Sequence, residues 1–343
     1  MIRVAVIGAG LIGRERLTAI KQLAAENLPV QLAGICDADR ALGEKTAAEF
    51  GAPAFANVDE ILRTEPDWVI VALPHDTAVG VALEALARGH SVLMEKPMGR
   101  DLDEARRLFA AGGDRLRIGF NYRFFPGIRR ALQDARRGAF GKLIAANFIL
   151  GHGGSPGQEK TWKLDPIRAG GGCLIDPGVH LLDLCNLLQP GGIEVVGGTS
   201  WAGFWKTGIE EDVQLILRGA DGLSIALQIS IVRWRSTFSL VLHGEDGYGE
   251  VAGRNRSYGP QTYRTGPRWG WQSAANQAAS EKTVVQSGGL QVFADELRAL
   301  FFPPSSSEDA WPAPCAAREA LATMELLDKI REQLGLRRQF PAE

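Results

Sequence analysis

The chain has 343 residues, 45% apolar and 23% charged, with a formal net charge of −2. That is the balance of an ordinary globular protein, and the length exceeds what one hydrophobic core usually serves, so two domains are expected. The small net charge gives no electrostatic case for nucleic acid or an anionic membrane, and no apolar run reaches the roughly 18 residues of a membrane span.

Through about residue 120, short β-branched runs alternate with helical periodicity. Arg3–Ile7 (RVAVI) predicts a strand and Leu11–Ala25 a helix; Val30–Cys36 and Arg40–Phe50 repeat the pair. Trp68–Leu73 is followed by a helical Ala78–Arg88, then by the strand Ser91–Met94. Strands separated by helices imply a doubly wound parallel sheet, and their near-continuous apolar character means both faces are covered. The N-terminal MIRVAVIGAGLIG is apolar but lacks a basic leader and breaks at glycines, so it does not read as a signal peptide.

After Tyr122 the pattern changes. LIAANFIL, IEVVGGTSW, VQLILR, LSIALQIS and FSLVLH succeed one another with few helices between, and Asp221-Gly222 and Asp246-Gly247 read as hairpin turns. A mostly antiparallel α+β domain is expected, with helices near Gly178–Leu188 and Val292–Phe301. Gly253–Ser273, which carries Arg254, Arg256, Arg264 and Arg268, reads as a long solvated loop; its arginines could also meet a phosphate or a second subunit. A Pro/Ser linker, FFPPSSSEDAWPAP, precedes a last amphipathic helix from Ala316 to Leu334. The expected domains are a dinucleotide-binding Rossmann domain at 1–122 and a substrate-binding and association domain at 123–312. A helical segment at 313–343 is expected to pack back near the first domain. Cys36, Cys173, Cys185 and Cys315 form no CxxC pair and read as buried thiols of a cytoplasmic, reducing compartment.

Gly8-Ala9-Gly10-Leu11-Ile12-Gly13 fits GxGxxG between a predicted strand and a predicted helix, the context that gives this weak string meaning. The first glycine permits a tight turn and the second lets the backbone approach a pyrophosphate. The third lets helix and strand pack closely, with the phosphates at the positive helix terminus. Asp37 ends the second of these strands, 24 residues past Gly13, near the offset of a carboxylate that binds an adenosine ribose and favours NAD over NADP. A helix N-cap is the other role open to Asp37, and Arg40 is the residue that would reach a 2′-phosphate.

SVLMEKPMG ends in Glu95-Lys96-Pro97, and strand ends are where open α/β sheets place ligands. A lysine there can polarise a hydroxyl and pass protons; Pro97 fixes the chain direction, through a trans or a cis bond. In GGGCLIDPGVHLLDLCN (170–186), Asp176, His180 and Asp183 fall on one helical face behind a triple glycine. A metal site, a proton-transfer site and a capped helix with Asp176 at the N-cap and Pro177 at the first helical position all produce that string.

These motifs, in this order, resemble the Gfo/Idh/MocA oxidoreductases, the glucose-fructose oxidoreductase and inositol dehydrogenase family. The resemblance extends over nearly the whole chain and includes IGFNYRF (118–124) at the domain crossing. It implies an NAD(P)-dependent dehydrogenase or ketoreductase for sugars, sugar nucleotides or cyclitols, working without a metal and assembled as a homodimer or homotetramer through the second sheet. By resemblance His180 is the acid/base, Lys96 polarises the same oxygen, and Asp176 orients the sugar or the histidine. Asp183 would hold the other ring nitrogen or a hydroxyl. Cofactor contacts are expected from Gly8, Gly10, Leu11, Ile12, Gly13 and Asp37, and from Leu73, Pro74, His75, Glu95 and Lys96. Substrate contacts are expected from Lys96, Tyr122, Arg123, Trp162, Lys163, Asp176 and His180, with Trp162 either stacking on a sugar ring or covering a loop core. The family's histidine four residues past the proline that follows the fourth strand is Ala78 here, while His75 directly follows Pro74. Some relatives use NAD transiently to cleave glycosides, and a non-catalytic NAD-binding sensor is a further alternative.

Overall fold

A computed structural model describes residues 1–272, 281–285, 291–305 and 311–336. The chain divides into two compact units, one of residues 1–121 and 290–324, the other of residues 122–289 and 325–343.

The first unit is built on a seven-stranded sheet. Its parallel strands are β1 (Ile2–Ile7), β2 (Val30–Cys36), β3 (Ala54–Phe55), β4 (Trp68–Val71), β5 (Ser91–Glu95) and β6 (Leu116–Gly119). The order runs β6-β5-β4-β1-β2-β3, and Cys315–Ala316 adds an antiparallel edge beside β6. Val4–Ile7, Val69–Val71 and Val92–Met94 are buried, as strands covered on both faces must be. Because β2 and β4 flank β1, the chain leaves β1 where the strand order reverses, which opens a crevice at the carboxyl ends of these strands. Gly8, Asp37, Leu73 and Lys96 all follow those ends.

Helix Gln291–Phe301 belongs to this unit and not, as expected, to the second. Its apolar face reported burial but not the partner. That partner is helix Leu11–Ala25: Glu296 meets Arg16 at 2.6 Å, Arg16 lies over the Phe293 ring, and Gln22 donates to Gln291. The first unit thus takes residues 290–324 from the segment beyond the second sheet. Linker residues 306–310 lie outside the described residues.

The second unit holds an eight-stranded sheet. Its strands are β7 (Leu143–Gly151), β8 (Ile193–Trp201), β9 (Asp212–Gly219), β10 (Ser224–Ser230), β11 (Thr237–Gly244), β12 (Gly247–Ala252), β13 (Gln261–Pro267) and β14 (Glu281–Val285). The order is β14-β13-β12-β11-β7-β10-β9-β8; β7 and β10 are parallel and every other pair antiparallel. Asp221-Gly222 and Asp246-Gly247 form the β9–β10 and β11–β12 hairpin turns.

The stretch expected as a loop contains β13. Its sequence, QTYRTGP, hides the alternation because one inward position is Gln261, whose side chain accepts the Gly127 N–H at 2.7 Å. Another is Tyr263, whose hydroxyl donates to Asp134 at 2.7 Å. Arg264 lies on the strand and pairs with Glu250 across to β12.

Candidate active site

The GxGxxG segment sorts its glycines by role. Gly8 has φ +103°, and a Cβ there would sit 2.3 Å from the Ala72 carbonyl oxygen. A Cβ on Gly13 would lie 1.8 Å from the Gly8 oxygen, so any side chain would drive the helix off the strand. Gly10 is the N-cap of helix Leu11–Ala25, has no side-chain cap and faces open space within 4 Å. That leaves the amides of the first helical turn for an anion from outside the protein. Leu11 beside it is 68% exposed, Ile12 is half-buried, and Gly13 is packed.

Asp37 is not the cap of the following helix. Asp39 performs that task, accepting from the Leu42 N–H at 3.1 Å. Asp37 accepts from the Ala9 N–H at 2.6 Å and the Asp39 N–H at 2.8 Å, which ties the end of β2 to the glycine turn. An uncapped helix terminus, a glycine cradle and a carboxylate at the end of β2 together fit a dinucleotide.

Glu95 and Lys96 end β5, and the Lys96–Pro97 bond is cis. Glu95, expected against the cofactor, instead accepts from Arg16 at 2.7 Å (Nε), with the other guanidinium nitrogens within 2.6 Å of Glu95 and Glu296. Arg16 is fully buried, and the two carboxylates supply its counter-charge. Glu95 is therefore a strut that joins β5, helix Leu11–Ala25 and helix Gln291–Phe301. Lys96, Leu73 and Pro74 are half-buried; His75 is buried as the first residue of helix His75–Ala87. Ala78 packs in the core at 2% exposure.

In the second unit Tyr122 and His180 are buried and stacked, their ring centroids 3.9 Å apart and their planes 8° from parallel. Asp176 accepts from Lys163 Nζ at 2.9 Å, and Lys163 lies 5.7 Å from the Trp162 ring centroid. The Asp176 carboxylate raises the Lys163 pKa against the effect of burial. Burial pushes the Tyr122 phenol up, Arg254 opposing, so the hydroxyl keeps its proton.

Residues 2–115 match the family model described as an oxidoreductase family with an NAD-binding Rossmann fold, and residues 128–250 match the Gfo/Idh/MocA C-terminal domain. The chain belongs to the Gfo/Idh/MocA oxidoreductases. It is similar to a protein of Amycolatopsis mediterranei assigned as the oxidoreductase subunit of UDP-kanosamine synthase. The two are 31% identical over 273 residues, 72% of this chain and 74% of that one. With the glucose-6-phosphate 3-dehydrogenase of Bacillus subtilis it shares 30% identity over 190 residues, 54% of this chain and 53% of the relative. A levoglucosan dehydrogenase solved with NADH and levoglucosan has the same fold, with a TM-score of 0.82 at 18% identity and 97% of each chain covered. This Gfo/Idh/MocA chain is an NAD(P)-binding oxidoreductase.

Several expectations drawn from the sequence are corrected by the geometry. Asp176, His180 and Asp183 do not share a helical face, because the helix runs Val179–Leu188 and Asp176 is extended (φ −142°, ψ 103°) before a cis bond to Pro177. Gly178, with no side-chain cap, is the N-cap in place of Asp176. Asp183 takes the Arg123 guanidinium at 2.8 and 2.5 Å, both side chains 1% exposed. This bidentate pair gives both residues an internal role. The triple glycine packs against its own unit: a Cβ on Gly172 would lie 1.9 Å from the Glu210 oxygen, and one on Gly171 2.6 Å from Arg331. Among the described residues no group of three or more His, Cys, Asp or Glu is placed to hold a metal ion.

One residue, His152, was missed, and a second, Arg254, was read with its neighbouring arginines as solvated loop. His152, just past β7, accepts the Gly154 N–H on Nδ1 at 3.1 Å, so in the neutral ring Nε2 carries the proton. Burial lowers its pKa, aided by Lys163 and Arg254 and opposed by Asp176. Arg254 lies within cation–π distance of Tyr122, Phe125 and Tyr258. No motif in the sequence marked His152, and loop composition favoured a solvated Arg254 over the phosphate contact also open to it.

Proposed function

We propose that this protein transfers a hydride between nicotinamide and a secondary alcohol or ketone of a sugar, sugar nucleotide or cyclitol, with NAD the preferred cofactor. The observation that carries the reading is a buried histidine, His180, held flat against Tyr122 in a chain whose other unit has a dinucleotide cradle. The names of the relatives, a UDP-kanosamine synthase subunit and a glucose-6-phosphate 3-dehydrogenase, support a carbohydrate substrate.

Bound nicotinamide supplies the two-electron acceptor or donor. The protein's part is to manage the proton on oxygen. His180 takes it on a ring nitrogen in the oxidative direction and returns it in the reductive one, the part an imidazole most often plays in general acid–base catalysis. Lys96 donates to the same oxygen through Nζ and favours its deprotonated form. Asp176, held by Lys163, orients hydroxyls, and Trp162 offers an apolar ring face to the sugar. Asp37 accepts from the adenosine ribose hydroxyls.

The protein works in the cytoplasm as a homodimer or homotetramer. Ile144, Val196, Trp201 and Ile216 are exposed on β7, β8 and β9, which supports association through the second sheet. The test is NADH formation, and NADH consumption with the matching ketones, across free sugars, sugar phosphates, nucleotide sugars and cyclitols. A chain that binds NADH yet turns over none of them in either direction would lack the proposed activity.

A further inference from the structure

Arg254 follows β12, where loop composition predicts a solvated side chain. It is instead held within 4.8 Å of the Tyr122 ring centroid, 5.5 Å of that of Phe125 and 4.4 Å of that of Tyr258. Its Nε is buried without a hydrogen-bond partner, and the Tyr258 hydroxyl is its one side-chain hydrogen-bond partner among the described residues. No carboxylate among the described residues pairs with it. The nearby Asp176 carboxylate is taken by Lys163 at 2.9 Å.

A guanidinium has five N–H donors in one plane, and aromatic neighbours at its faces leave those in-plane donors available. A half-buried cation without a counter-ion is unfavourable, and a neutral hydroxyl would satisfy a donor but not the charge. Tyr122 joins this cation to the chemistry, since its ring also stacks on His180.

We propose that Arg254 receives an anionic group of the substrate, a carboxylate or a phosphate, and so selects charged sugars over neutral ones. The inference rests on the dehydrogenase reading above and names its substrate class. The guanidinium fork suits either anion in bidentate fashion.

The test compares kcat/KM of the NAD-loaded protein for glucose, glucuronate, glucose 6-phosphate and UDP-glucose, in wild type, Arg254→Met and Arg254→Lys. At least one anionic sugar is expected to exceed glucose by about tenfold or more in wild type, the size of a charge-assisted bond. Arg254→Met collapses that ratio to about twofold or less, chiefly through KM, and Arg254→Lys, with charge but no fork, falls between. Which anionic sugar loses most separates carboxylate from phosphate. No preference in wild type, or a preference that survives Arg254→Met, overturns the proposal.

If no sugar is turned over, the dehydrogenase reading fails, and calorimetry on the NADH-loaded protein decides Arg254 alone. Glucuronate or inorganic phosphate should then bind at least about tenfold more weakly to Arg254→Met than to wild type. Absent or unchanged binding overturns the site. Circular dichroism checks each variant, and Arg254→Gln is read in place of Arg254→Met should the latter not fold.

Discussion

Tyr122 lies flat on His180, the two rings 8° from parallel and 3.9 Å apart at their centroids. A stacked ring restricts the imidazole to one plane, and both rings are buried, so the histidine is presented in a fixed orientation. Preorganisation of this kind is what a proton-transfer group needs, because catalysis depends on where the nitrogen sits when the bond to hydrogen breaks.

His180→Ala should lower kcat by about 10²–10⁴-fold, the usual worth of general acid–base catalysis, and Lys96→Ala should fall in a similar range. NADH binding, followed by its fluorescence, should be nearly unchanged in both. Tyr122→Phe keeps the stack and should keep most of the activity, whereas Tyr122→Leu removes it and should lose more. Full turnover in His180→Ala would end the acid/base assignment.

The Arg123–Asp183 pair predicts a stability effect without a direct role in chemistry. Both side chains are 1% exposed, so removing one partner leaves a buried charge unpaired. Asp183→Ala should destabilise the second unit by about 3–5 kcal/mol, read from urea unfolding. Arg123→Met combined with Asp183→Leu should recover most of that loss, since two apolar groups carry no desolvation penalty. A double variant as unstable as the single one would mean that the pair is worth more than its mutual neutralisation.

Most of the first unit was legible in the sequence, because apolar runs in a covered parallel sheet leave an almost unbroken signal, and Gly8 and Gly13 are fixed by local backbone demands. The second unit was legible in class but not in detail. Gln261 and Tyr263 occupy inward positions of β13 with polar groups satisfied by partners far along the chain, Gly127 and Asp134, and no local pattern announces such partners. Glu95 and Arg123 were assigned to ligands for the same reason. A conspicuous charge next to a motif looks functional until Arg16 and Asp183 arrive from elsewhere in the fold. The helix expected near Gly178–Leu188 runs Val179–Leu188, and the alternative with Asp176 as cap and Pro177 as first residue fails because Asp176 is extended and turned to Lys163.

Asp37 predicts cofactor preference. Its carboxylate supports the Ala9 and Asp39 amides, so Asp37→Ala removes both loop support and charge. Asp37→Asn keeps an acceptor and removes the charge alone. In both variants the ratio of kcat/KM for NAD over NADP should fall by about tenfold or more, because a 2′-phosphate no longer meets a carboxylate. Arg40, exposed at 78% and paired among the described residues with Glu44, is then available to that phosphate. A ratio that stays put in Asp37→Asn would assign Asp37 to loop support alone.

His152 predicts how stability depends on pH. Its folded pKa lies below the ordinary value of about 6.5, mainly because burial disfavours the charged ring. Between the folded value and about 6.5 the unfolded chain binds more protons than the folded one, so stability rises with pH across that window. Acidification from pH 7 should therefore weaken the fold from about pH 6.5 downward, with the loss levelling off once the folded ring also titrates. His152→Gln keeps an acceptor for the Gly154 N–H but cannot titrate. Its urea midpoint should thus vary less between pH 7 and about pH 5 than that of wild type, where few carboxylates yet contribute. Parallel curves for the two proteins would show that this imidazole charges as freely in the folded state as in water.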